Sequence, residues 1–173
     1  MTSSSLTEAD VIDSVVPLAP EHPLYALRRE RPKIVASTQG SYDAMFSPAV
    51  QGISVTERLF VALQACRVSK AGELAAHYRD RLLAEGADAA LVNAVARGEA
   101  ASLDNERLQT MLGFTAKLIA RPIEGDRAAV DSLVRVGLTT PAIVALGQLI
   151  AFLSYQVRLA AGLQAMAAAG SAA

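Results

Sequence analysis

Glu73 and His77 lie four residues apart within Ser54–Leu83, SVTERLFVALQACRVSKAGELAAHYRDRLL. On a helix that spacing puts both side chains on one face. An imidazole with an ordinary pKa near neutrality can carry a proton at physiological pH. A carboxylate one turn away can orient it or balance its charge, and Glu57 upstream is a second acid–base candidate. Ser54-x-x-Glu57 is also a capping-box pattern, in which the glutamate merely closes a helix N-terminus. Glu73 and His77 read equally simply as a solvated surface pair. Lys70 and Arg158 are the cations suited to hold a substrate carboxylate.

Other chemistries find less support. The single cysteine, Cys66, excludes an internal disulfide framework and fits a reducing compartment. It lies nine residues after Glu57, about half a turn around an ideal helix, so it faces away from that glutamate. A lone cysteine in an apolar helix reads as a small core residue without a redox role. His22 sits among Pro17, Pro20 and Pro23 with no partner at metal-site spacing, so it reads as a connector residue and no metal is expected.

Composition bounds the partners. Hydrophobic residues make up 52% and charged ones 19%, against roughly 45–50% and about 25% in typical domains. The excess predicts apolar surface beyond one core's needs, hence a homo-oligomer. With a net charge of -1 and no basic block, no nucleic-acid footprint is visible. Arg28–Lys33, the densest basic run, reads as solvated surface. Met1–Leu6 lacks the order of a signal peptide, which predicts a cytoplasmic chain. Val136–Val157 is uncharged and long enough to span a bilayer. Its purest apolar part, Ala142–Leu153, has the length of a core helix, so a soluble protein off the membrane is expected.

The chemistry-bearing residues need helices to position them. Thr7 can cap a first helix reaching Val16, and the prolines then make a stiff connector. Leu24–Arg31 and Ile34–Met45 read as two short helices. Ser54 opens a helix apolar nearly all round, hence buried. After a break at Ser69–Lys70, a second helix runs from Lys70 to a Gly86 cap, with Leu74, Tyr78 and Leu82 on its apolar stripe. Asp88–Arg97 follows, then a helix capped by Asp104 that runs to Pro122, then Asp126–Val136. Thr140 before Pro141 starts the last helix, which runs to about Met166 ahead of a frayed tail. No segment alternates with period two, so the chain is all-α.

Two blocks carry a family resemblance. Asn105–Pro122, NERLQTMLGFTAKLIARP, with Val130–Leu138, VDSLVRVGL, resembles the C-terminal half of alkylhydroperoxidase D-like proteins, members of the carboxymuconolactone decarboxylase superfamily. Phe152-Leu153-Ser154-Tyr155 and Arg158 resemble the family's Phe-x-Asn-x-x-Asn-Arg helix, with Ser154 and Val157 where asparagines are common. The resemblance implies a helical bundle over residues 50–168, short N-terminal helices within 1–49 packing on it, and assembly as trimers or larger rings such as hexamers, while the small residues of 169–173 read as a frayed tail.

Peroxidase-type members carry Cys-x-x-Cys-x-x-x-His. Counted back from His77, the cysteine positions hold Lys70 and Glu73. Glu73-Leu74-x-x-His77-x-Arg79 instead resembles the decarboxylase branch, which uses no metal or organic cofactor. The favoured reading is therefore acid–base decarboxylation or isomerisation of a small oxo-acid or lactone. His77, Glu73 and Glu57 would be catalytic, and Lys70, Ser154, Tyr155 and Arg158 substrate-binding. An antioxidant alkylhydroperoxidase-like protein and a non-catalytic family member are the alternatives.

Overall fold

The computed structural model describes residues 10–170. Among them the chain is all-helical. The helices are α1 (Val11–Val15), α2 (Pro23–Arg29), α3 (Pro32–Met45), α4 (Val55–Val68), α5 (Gly72–Ala84), α6 (Ala89–Arg97), α7 (Glu106–Ala120), α8 (Arg127–Arg135) and α9 (Thr140–Gly170). Single turns of 3-10 helix precede and follow α7.

α4 is the axis of the structure. Its residues Arg58 to Cys66 are buried without interruption, as the all-round apolar pattern requires. α5, α7, α9 and α6 pack around it. The expected capping box forms: Ser54 Oγ accepts from Glu57 N, and Glu57 Oε2 accepts from Ser54 N. Four helix ends close in the same way, with a residue just past the last helical turn in left-handed conformation and its successor's N–H reaching back five residues. Gly86, Gly98 and Gly137 occupy that position after α5, α6 and α8. After α4 the residue is Lys70, at φ 57°. α5 thus begins at Gly72, later than the sequence suggested, because Lys70 has turned out of helical conformation.

Other boundaries shift for local reasons. Asn105 rather than Asp104 caps α7, since its Oδ1 reaches Leu108 N. Thr139 rather than Thr140 meets the first free N–H groups of α9, which places Pro141 one residue further in. α9 continues past Met166 to Gly170, because alanines carry the helix where a frayed tail was expected. Thr7 lies outside the described residues, and Asp10 caps α1.

The N-terminal helices join the main core: Ile12, Val16, Tyr42 and Phe46 are buried with α4 and α5. Arg28 and Arg29, expected in water, instead close an ion cluster. Arg28 pairs with Asp10 at 2.9 Å and Asp13 at 2.6 Å, and Arg29 pairs with Asp13. His22 caps α2 through Nδ1, which accepts from Leu24 N. α9 is long and apolar enough to cross a membrane by length and composition, with 39% of its most apolar window buried.

Candidate active site

His77 is half-buried on α5 and faces α3. Its Nε2 lies 2.7 Å from Tyr42 Oη, and Arg81, one turn further along α5, donates to the same oxygen at 2.8 Å. Arginine cannot accept, so Tyr42 Oη receives from Arg81 and is free to give its own proton to His77 Nε2. That arrangement places the imidazole proton on Nδ1, which has no protein partner among the described residues. Tyr42 is packed by Phe46 and Tyr78, and the Arg81 guanidinium lies 4.8 Å from the Phe46 ring centre.

The electrostatics favour neutral imidazole. Burial, with help from the Arg81 charge, holds the His77 pKa below its ordinary 6.5, against a smaller opposing pull from Asp80. Burial raises the Tyr42 phenol, and Arg81 offsets part of that rise by stabilising the phenolate. The trio can pass a proton: Nδ1 gives one outward while Nε2 takes one from Tyr42, and the tyrosinate rests beside Arg81.

Glu57 is set to other work. Oε2 accepts from Ser54 N and Oε1 from Arg107 Nε, each at 2.7 Å, while Arg107 also binds Gly52 O. Burial alone would raise the Glu57 pKa, but the hydrogen bonds from Arg107 and Ser54 outweigh it and lower it. Of the two roles the sequence offers Glu57, these bonds are those of the cap, and Arg107 adds a clamp between α4 and α7. Next to it, Arg58 is buried and donates to the carbonyls of Met45, Ser47 and Ser54.

Glu73 does not bond His77. It is exposed and lines a separate cavity of about 290 Å³ at the N-terminal end of α5, with Lys70, Gln164, Val15, Val157 and Ala160. α5 has no side-chain cap, so its first N–H groups add positive potential there. Lys70 lines this cavity from a backbone position filled by glycine at the three comparable helix ends.

The α9 candidates lie elsewhere. Tyr155 Oη bonds Thr38 on α3 at 3.0 Å, one turn from Tyr42. Ser154 Oγ returns to Ile150 O, and the exposed Arg158 bonds back to Ser154 O. None of the three hydrogen-bonds His77. Elsewhere on α9, Gln156 accepts from the buried Tyr78 Oη at 2.5 Å.

Sequence reasoning missed Tyr42 and Arg81. Arg81 sits four residues after His77, so helical spacing could have found it. Tyr42, 35 residues away, carries no such signal. Cys66 is fully buried, and burial pushes its thiol up to about 12.

No family model matches the chain, and no curated protein matches it. The fold is similar to the crystal structure of an uncharacterized peroxidase-related protein from Silicibacter sp. TM1040, with a TM-score of 0.68 and 20% identity. That match covers 74% of this chain and 66% of the other. At this identity the likeness is one of fold, and the fold is an all-helical one consistent with the alkylhydroperoxidase D-like bundle.

Proposed function

We propose that this chain is a cofactor-free acid–base enzyme of the carboxymuconolactone decarboxylase superfamily, acting on a small oxo-acid or lactone acid. The observation that carries the reading is the Tyr42–His77–Arg81 relay, which leaves Nδ1 without a protein partner among the described residues. Lys70, Glu73 and the uncapped α5 N-terminus line a cavity that His77 does not enter, so the substrate spans one turn of α5, with a remote carboxylate at Lys70 and its reacting carbon at His77. One helical turn, about 6 Å of rise, separates Glu73 from His77. In decarboxylation the C–C bond to the leaving carboxylate breaks, CO₂ departs, and the electron pair stays on the substrate carbon. His77 Nδ1 protonates that carbon while Nε2 takes the Tyr42 proton; solvent then reprotonates Nδ1 and Nε2 returns its proton to the tyrosinate, which restores the starting tautomer. The net consumption is one proton and no redox partner is needed.

Surplus apolar surface supports self-association: Ile123, Val134, Val144 and Met166 are exposed. The cytoplasm, reducing and neutral, suits a free thiol and a neutral imidazole.

Screening small lactone acids and oxo-acids for CO₂ release or isomerisation tests this reading. Activity that falls in both His77→Ala and Tyr42→Phe and survives Cys66→Ala supports it, whereas activity indifferent to His77 contradicts it. The peroxidase-related description of the similar structure favours one rival, hydroperoxide reduction. With Cys66 buried, that chemistry needs a thiol from a partner protein. Hydroperoxide turnover with a small thiol reductant standing in for that partner, retained in Cys66→Ala and indifferent to His77→Ala, would establish the rival.

A further inference from the structure

A trough runs along α3, walled by α2 and α9, and includes neither His77 nor Tyr42. Two adjoining cavities form it, of about 160 and 190 Å³, meeting at Ile34, Thr38 and Tyr155. Together they reach the lower end of the range for small-molecule sites. Leu27 and Ile34 stand 51% and 58% exposed on its rim, more than an isolated core side chain would be. Its central polar groups are spent internally. Thr38 Oγ1 donates to Ile34 O, so Tyr155 Oη must donate to Thr38. The trough floor is therefore apolar in effect.

Charge marks one end only. Arg31 lines the cavity nearer α2 and has no acidic partner among the described residues, whereas the neighbouring Arg28 is neutralised by Asp10 and Asp13. No carboxylate lines either cavity. From Arg31 to Ser41 the trough follows ten residues of α3, about 15 Å. An apolar channel of that length with an unpaired guanidinium at one end complements an apolar chain that ends in an anion.

We propose that this trough binds a free amphipathic monocarboxylate, an acyl chain with its carboxylate on Arg31 and its chain over Ile34, Tyr155 and Phe152. The site is independent of the His77 relay.

Calorimetry with decanoate, hexanoate and decanol tests it. Decanoate should bind one per chain, with affinity rising about two- to fourfold per methylene from hexanoate. Decanol should bind about tenfold or more weakly, since it lacks the charge-assisted bond. Arg31→Gln should erase the preference for decanoate over decanol, while Lys33→Gln, an adjacent exposed cation outside the trough, leaves it intact. Ile34→Asp should abolish binding of both, and its exposure makes misfolding no explanation if the melt is unchanged. Equal affinity for decanoate and decanol, or indifference to Arg31→Gln, overturns the proposal. So does binding to phosphatidylglycerol vesicles without binding of free decanoate. A trough filled by a second copy would show as no decanoate binding and an oligomer that Ile34→Asp dissociates, which also overturns it.

Discussion

Glu57 and His77 sit on adjoining helices of one hairpin and answer opposite needs. Glu57 has both carboxylate oxygens committed, one to the end of its own helix and one to Arg107. His77 has one nitrogen held in a relay and the other unclaimed by protein. The first pattern fixes α4 against α7. The second leaves a proton at a half-buried surface with a reservoir behind it. Partners, more than residue type or helical spacing, separate a structural acid from a group able to react.

Substitutions can break this contrast. The largest effect belongs to His77→Ala, which should lower turnover by about 10²–10⁴-fold, the usual scale of acid–base catalysis. Its melting temperature should change little, because position 77 is only half-buried. Arg58→Ala at the other region should reverse that profile: about 3 kcal/mol of stability lost in chemical denaturation, because three carbonyls lose their donor. Glu57→Gln should cost about 1 kcal/mol, the scale of a lost cap, with turnover retained. If Glu57→Gln instead matched His77→Ala in rate loss at unchanged stability, the assignment of roles would fail.

Acid titration sharpens the same contrast. His77 has its folded pKa held below 6.5, so the neutral form it favours stabilises the fold above 6.5. That contribution declines as pH falls from 6.5 through the folded value. Glu57 is lowered from 4.5, so its contribution persists to that pH and is lost only below it. Denaturation at stepped pH should show two separate losses, the upper removed by His77→Ala and the lower by Glu57→Gln. The smallest effect concerns Lys70. Relieving its left-handed backbone with Lys70→Gly should stabilise the chain by about 0.5–1 kcal/mol in urea melts while weakening substrate binding.

Local pattern carried most of the fold. The Ser54–Glu57 box, the glycines at 86, 98 and 137 and the buried run in α4 were all legible, because each depends on neighbours within one or two turns. The site was legible only in part. His77 and Arg81 are related by helical spacing, but Tyr42 reaches them across 35 residues and Arg107 reaches Glu57 across 50. Lys70 looked like a helix start because its side chain gives no warning of a left-handed backbone. Glu73 was paired with His77 by spacing alone. Packing gave His77 to α3 and left Glu73 on a different cavity.

The most direct test of the relay needs no substrate. Nitrogen-edited NMR titration of His77 reports both its pKa and which ring nitrogen carries the proton. The midpoint should fall below 6.5 with the neutral form protonated at Nδ1, and Arg81→Gln should raise the midpoint by removing a nearby positive charge. A midpoint at or above 6.5, or a neutral form protonated at Nε2 that is unchanged in Tyr42→Phe, would contradict the relay.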